Sequence, residues 1–342
     1  MKYFLLLTFI CSLGQFSALP QTPNYEIYHS YINKAEELFF IDNKADSSLY
    51  FYRKAFSEFD FAFVKDPLNA AQIAYFCNQP FEEYLIKGFE NGLKVSHLSS
   101  IKLFNTIYDD LSNNKSLQDN YKISREKYIK KLDYNYLSYL YEKAINDQID
   151  KKKDNYDAIK FKNLEDWLTR IRLKGFPSAK IIGIDDENIF RETGKPEKDI
   201  DQLKIKYSNT LNHLTTDDEI LSSSFIMIIL VHNQCSFQEL KNIFGELVKK
   251  GEIHPREVGL LYDNQFRTSI NKPNYRCQVP RPVDGLFYLN MFCQYNKLDC
   301  SKQQSDMIRK KWFVVSLTVD EAKKEYEQKY GFRLSYGFWN CM

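Results

Sequence analysis

The chain has 342 residues, 44% of them hydrophobic, which is roughly enough for two domains with buried cores. Its 47 Lys and Arg against 45 Asp and Glu leave a net charge of only +2, which argues against the clustered basic face of a nucleic-acid binder. Aromatic residues reach 15% while Gly numbers 12 and Pro 10, which excludes disordered, collagen-like and linker-like chains and favours helices over a turn-rich β-sandwich.

The first residues have the layout of a secretory signal peptide. Lys2 precedes an apolar run from Phe4 to Leu13, weakly polar residues come next, and a polar segment begins at Gln21. The run is shorter than the ~20 residues of a membrane span. Residues 1–18 are therefore expected to be the signal, with Phe16 a poor residue two places before the expected cleavage after Ala18. A buried N-terminal helix is the alternative. Cys11 lacks the small preceding residues of a lipoprotein signal, so a soluble exported protein is expected, in the periplasm, in the cell envelope or secreted. The longest later apolar run, Phe225 to Val231, is seven residues and reads as a core element rather than a transmembrane span.

Residues 19–113 read as paired helices. Tyr28, Tyr31, Ala35, Leu38 and Phe39 recur at helical spacing, and Leu49, Tyr52, Ala55, Phe56 and Phe59 do so on a second segment. Asp66-Pro67 punctuates the gap before a third helix near 68–77, and Asn78-Gln79-Pro80 precedes a fourth marked by Phe81, Leu85, Gly88 and Phe89. Lys54-Ala55-Phe56 and Lys87-Gly88-Phe89 recur at a period of 33, and the small central residue suits close helix packing. The spacing resembles a degenerate tetratricopeptide (TPR) array, whose helix pairs repeat every ~34 residues. Its Trp, Gly and Tyr signature positions are missing here. The resemblance implies another protein as partner, bound through these helices, or a helical support for the C-terminal domain.

Residues 114–342 read as a long helix plus a helical domain. Tyr128, Leu132, Tyr136, Leu137, Leu140, Tyr141, Ala144 and Ile145 form one apolar stripe. The Lys151–Lys153 run among Asp147, Asp150 and Asp154 reads as a solvated helix end. Asn114-Lys115-Ser116 is a glycosylation sequon, relevant only in a eukaryotic secretory host. A helix over 161–173 is capped by Gly175, and residues 185–201 read as an excursion loop. Thr216 with Glu219, and Ser236 with Glu239, read as capping boxes that open two helices; Pro255 opens a third. Val314, Val315 and Leu317 allow a short strand over 313–317. The fold expected is mainly α, with TPR-like helical pairs, a second helical domain and at most minor β.

Seven cysteines less Cys11 leave six, compatible with disulfides in an oxidising compartment or with buried thiols. Cys277, Cys293, Cys300 and Cys341 lie closest together and are the candidate disulfide cysteines. The five His are scattered and there is no CxxC or HExxH, so no metal site is expected, and nothing in the pattern calls for a cofactor.

Several short segments together resemble a bacterial domain of exported proteins, frequent in the Bacteroidota after degenerate TPR-like helices and with no known activity. They are Asp147-Gln148, Lys174-Gly175-Phe176-Pro177 through Ile182-Gly183, His232 after its apolar run, Gly251-Glu252, Leu261-Tyr262-Asp263, Tyr275-Arg276-Cys277-Gln278, and Arg309 with residues 320–330. The resemblance covers roughly residues 120–335. The chain departs from the family pattern at Asn264, Arg276-Cys277 and Asn233-Gln234. It implies a polar site. His232 beside Asp263 suits a general base, Tyr275 and Gln278 suit an oxyanion, and Asp147, Gln148 and Arg309 suit ligand binding. That is the hydrolase or transferase alternative. The favoured expectation is a non-catalytic binding or scaffold protein of the cell envelope. Stacking of Trp312 and Trp339 on sugars is a third option.

Overall fold

The computed structural model describes residues 23–184, 188–194, 224–233, 235–271, 277, 286–287 and 301–334. The described residues form helices and connecting turns, with no strand among them. The first four helices are α1 (Tyr25–Phe40), α2 (Ala45–Glu58), α3 (Lys65–Phe76) and α4 (Glu82–Phe89). They pack as hairpins α1/α2 and α3/α4, and α2 leans on α3. The two matching triplets fall on the second helix of each hairpin, as the period requires. Gly88 on α4 meets the Leu93 side chain so closely that an added Cβ would collide with it. Pro67 does not separate α3 from the preceding chain. It sits in the first turn, where its missing N–H costs nothing.

Short α5 (Tyr108–Asn113) leads to α6 (Lys115–Lys131) and α7 (Tyr134–Asp150). The expected single long helix is thus broken at Leu132-Asp133. Asp133 caps α7 by accepting from the Tyr136 N–H at 2.9 Å, and its own N–H donates to the Ile181 carbonyl at 2.8 Å. Asn114 of the sequon caps α6, accepting from the Leu117 N–H at 3.0 Å. Next come α8 (Tyr156–Lys174), one-turn α9 (Ala179–Ile182) and α10 (Asn188–Glu192), so the expected excursion loop contains a helical turn. Glu192 there pairs with buried Arg125 of α6 at 3.0 Å.

The apolar run lies on α11 (Ser224–His232), which leads to α12 (Ser236–Lys249) and α13 (Pro255–Asn271). The start expected for α11 at Thr216 lies outside the described residues. The Ser236–Glu239 capping box does not form. Ser236 is already helical, and its buried hydroxyl has no partner. Asn233 does the capping: its side-chain oxygen accepts from the Cys235 N–H and its carbonyl from the Ser236 N–H.

The last described helices are α14 (Lys302–Lys311) and α15 (Leu317–Tyr330). The segment between them is a turn, not a strand. Phe313 takes a left-handed conformation at φ 56°, and Val314 and Val315 bury their side chains. The Val315 carbonyl is held by the Arg309 Nε at 2.6 Å, so it has no need of a ladder partner.

There are two large cores. One lies under α6–α8 and α11–α13. The other belongs to the N-terminal hairpins, yet it also takes Leu117, Ile184, Val315, Val319, Phe332 and Leu334. The N-terminal hairpins and the C-terminal residues thus share one core. α15 lies against α1, and Gln72 of α3 bonds both backbone groups of Arg333. A disulfide joins Cys235 to Cys277 across 42 residues. Cys277 is one of the four candidate cysteines, but its partner is not. Cys293, Cys300 and Cys341 lie outside the described residues, and Cys77 is a free thiol.

Reducing the disulfide, or replacing Cys235 by Ala, is expected to lower stability by about 3–4 kcal/mol on the loop-closure relation. Urea unfolding with and without reductant checks this; equal midpoints would contradict it.

Candidate functional site

The residues singled out in the sequence fall into two groups. Asp147 and Gln148 at the end of α7 meet His232 at the end of α11. The His232 Nδ1 lies 2.5 Å from Asp147 Oδ2 and 3.3 Å from Gln148 Nε2. Tyr156 donates to Asp147 Oδ1 at 2.9 Å, and Lys151 to Gln148 Oε1 at 2.9 Å. Burial, then the neighbouring Asp147 carboxylate, pushes the Tyr156 hydroxyl far above the usual phenol range. Asp147 and Gln148 are buried, and the adjoining cavity, between Asp147, Trp167 and Ile229, is about 10 Å³. That is room for about one water.

Asp263 and Arg309 form the second group, at Phe287. Asp263 accepts from the Phe287 N–H at 2.9 Å, and Arg309 donates to the Phe287 carbonyl at 2.6 Å. Both side chains thus bond the backbone of one residue. Asn264, which departs from the family pattern, donates to the Val231 carbonyl at 2.8 Å and ties α13 to the end of α11. Tyr275 and Gln278 lie outside the described residues, as does Trp339. Trp312 is half-buried against the core under α6–α8 and α11–α13.

A larger polar site lies where the C-terminal helix meets the N-terminal hairpins. It is a cavity of about 70 Å³, and α1, α3, the start of α13, the turn at Phe313-Val314 and α15 wall it. At one water per ~10–15 Å³ it has room for about five heavy atoms. One wall is a chain of ion pairs. Lys323 of α15 lies 2.5 Å from Glu36 of α1, both buried. Arg256 grips both oxygens of Asp320, at 3.0 and 2.5 Å, and Arg309, fully buried, donates to the same carboxylate from behind. Burial works to raise the Asp320 carboxyl, but the two guanidiniums hold it well below the usual range.

The other wall is less satisfied. His29 and Asn69 are each only 2% exposed, and His29 Nε2 and Asn69 Oδ1 have no hydrogen-bond partner. Such groups cost stability unless something pairs with them. Burial holds the His29 ring neutral, its pKa brought down to about 3. It holds His254 neutral too, with His29 as a further cause. The His254 Nδ1 accepts from the Arg256 N–H at 3.1 Å, which leaves its proton on Nε2. Asp66 accepts from the Tyr28 hydroxyl at 2.7 Å, and burial pushes its carboxyl up to about 7. Burial brings the Lys65 ammonium down to about 8.

Of the catalytic and binding residues expected from the sequence, only Arg309 touches this site, and it does so through Asp320. The missed signal is polar residues on apolar stripes. His29 and Glu36 stand on the buried face of α1 with Tyr25, Ile32 and Phe39, and Lys323 comes one turn after Val319 on α15. No group of His, Cys, Asp or Glu among the described residues is arranged to hold a metal ion. No family model, no curated protein and no solved structure matches the chain.

Replacing His232 by Phe leaves the Asp147 carboxylate buried without its imidazole. A loss of about 2–4 kcal/mol is expected in urea unfolding; a loss under about 0.5 kcal/mol would show that the cluster is not fold-holding. His29→Phe removes an orphaned nitrogen. Between about pH 3 and 6.5 the unfolded chain binds a proton at His29 that the folded chain refuses, so this residue makes stability rise with pH. Asp66 opposes it, because the folded chain holds that proton up to about 7 and the unfolded chain loses it near 3.8. His29→Phe is therefore expected to remove the rise and leave the Asp66 fall, moving the slope of stability against pH downward over that window by up to about 1.4 kcal/mol per pH unit, without lowering stability at neutral pH. Unfolding curves measured between about pH 4.5 and 7.5 decide it.

Proposed function

We propose that this chain is an exported, non-catalytic binding protein of the cell envelope that holds a small polar molecule between its N-terminal hairpins and its C-terminal helix. One observation carries the reading: His29 and Asn69, each with a buried polar atom that has no partner, are among the residues that line a cavity with room for a ligand. The signal-like first residues and the likeness to exported-domain segments support export, and so does the Cys235–Cys277 disulfide, a bond of oxidising compartments. No helix among the described residues is long and apolar enough to cross a membrane.

A protein partner on the N-terminal helices is the scaffold form of the same proposal. The first helices of the two hairpins, α1 and α3, are packed against the chain's own residues 313–334. An outside protein would have to use another face or displace that segment. The catalytic alternative draws on the short His232–Asp147 contact, the geometry that orients a general base. It is the weaker reading, since the adjoining space among the described residues fits about one water.

Thermal unfolding of the full oxidised chain against a panel of small acids, amines, amino acids and polyols tests the proposal. A ligand at about a hundred times its Kd is expected to raise Tm by about 4 °C, and Asn69→Leu should abolish the response. Identical responses of wild type and Asn69→Leu to every compound would overturn it.

A further inference from the structure

The cavity wall has a definite charge and a definite hydrogen-bonding deficit. Lys65, Arg256, Lys323 and Lys324 line it, against the carboxylates of Glu36, Asp66 and Asp320. Behind the wall, Arg309 and Glu257 offset each other: Arg309 backs Asp320, and Glu257 faces Lys65. The surplus is one cation. It grows when Asp66 takes up a proton, which burial favours. The first turns of α3 and α13 also line the cavity, and their dipoles favour negative charge there.

The donors and acceptors of the lining residues refine the picture. Asn69 presents a carbonyl oxygen that can only accept. The His254 Nε2–H and the ammonium groups can only donate. A bare anion would answer the donors and leave the Asn69 oxygen orphaned. An ammonium ion would answer Asn69 and meet a wall that is already cationic.

We propose that the cavity takes a small monovalent oxyanion that carries a hydroxyl group, of about five heavy atoms, such as dihydrogenphosphate or a two-carbon hydroxycarboxylate. The oxyanion oxygens face Lys65 and His254, and the hydroxyl donates to Asn69. This rests on the reading of the cavity as a ligand site. The charged chain Glu36–Lys323 and Arg256–Asp320–Arg309 sets the shape of the pocket and keeps the C-terminal helix closed over it.

The test uses the full oxidised chain near pH 6, where inorganic phosphate is largely the monoanion, at constant ionic strength made up with chloride. Calorimetric titrations use phosphate, glycolate, sulfate, glycerol and methylammonium as probes. Phosphate and glycolate are expected to bind saturably, at least about tenfold more tightly than sulfate, which lacks a hydroxyl under these conditions. Lys65→Gln and His29→Phe, each checked for native helicity, should weaken phosphate by about tenfold or more. If a variant fails to fold, the discrimination of phosphate from sulfate in the wild type still decides. Sulfate binding as tightly as phosphate would overturn the hydroxyl requirement. Binding of glycerol or methylammonium, sensitive to His29→Phe, with no binding of the anions, would overturn the oxyanion and leave the cavity reading standing. No binding by any probe, with His29→Phe raising stability, would overturn both.

Discussion

The buried pair between Glu36 and Lys323 joins the first helix to the last across 287 residues of chain, and the architecture depends on it. Burying two charges is expensive, and a pair of this kind returns little net stability against an apolar pair of the same shape. What it returns here is placement. An apolar α15 would be free to slide along α1; a Lys with one buried carboxylate to reach has one register. The same register brings Asp320 to Arg256 and Arg309, puts Val319 into the N-terminal core, and carries Phe332 and Leu334 on to α3. The cavity is the space left between surfaces positioned by charge rather than by close apolar packing.

Arg309 shows how the parts connect. It is fully buried, and it donates to the Val315 carbonyl, the Phe287 carbonyl and Asp320. One guanidinium thereby fixes the turn before α15, the segment at residue 287 and the acid that grips α13. Asp263 holds the other side of Phe287. Residues that resemble a family's polar motif thus serve as joints between segments distant in sequence. The Asp147–His232–Tyr156 cluster does similar work for α7, α8 and α11.

The helices were legible because their apolar periodicity is strong. Tyr28 to Phe39, Tyr136 to Ile145 and the run ending at His232 each formed the element expected. The errors have local causes. Asp133 is an N-cap lying within a continuous apolar stripe, so the stripe concealed a break between two helices. Ser236 matched a capping motif that Asn233 had already made redundant three residues earlier. Val314 and Val315 favour strands by propensity, but burial on either side of a turn decided their conformation. The polar cavity was not legible as a site. It assembles residues 29 and 36 of α1, 65, 66 and 69 of α3, 254 and 256 at α13, and 320 and 323 of α15, four segments that no local spacing relates. The trace it left was a His and a Glu on the inner stripe of α1, readable as conflict with the pattern but not as a partner for Lys323.

The return of the last segment to the first core also governs how the chain comes into being. At about 5–20 residues per second, synthesis of the ~200 residues from Leu117 to Leu317 takes on the order of ten to forty seconds. Until then α1 and α3 have no α15 or residues 332–334 to cover them. An entirely apolar inner face would be an adhesive surface in a crowded compartment. His29, Glu36 and Asn69 keep this one wet until α15 arrives. Residues that frame the cavity in the finished fold are thus also the polar groups on the inner face of a chain that α15 has not yet reached.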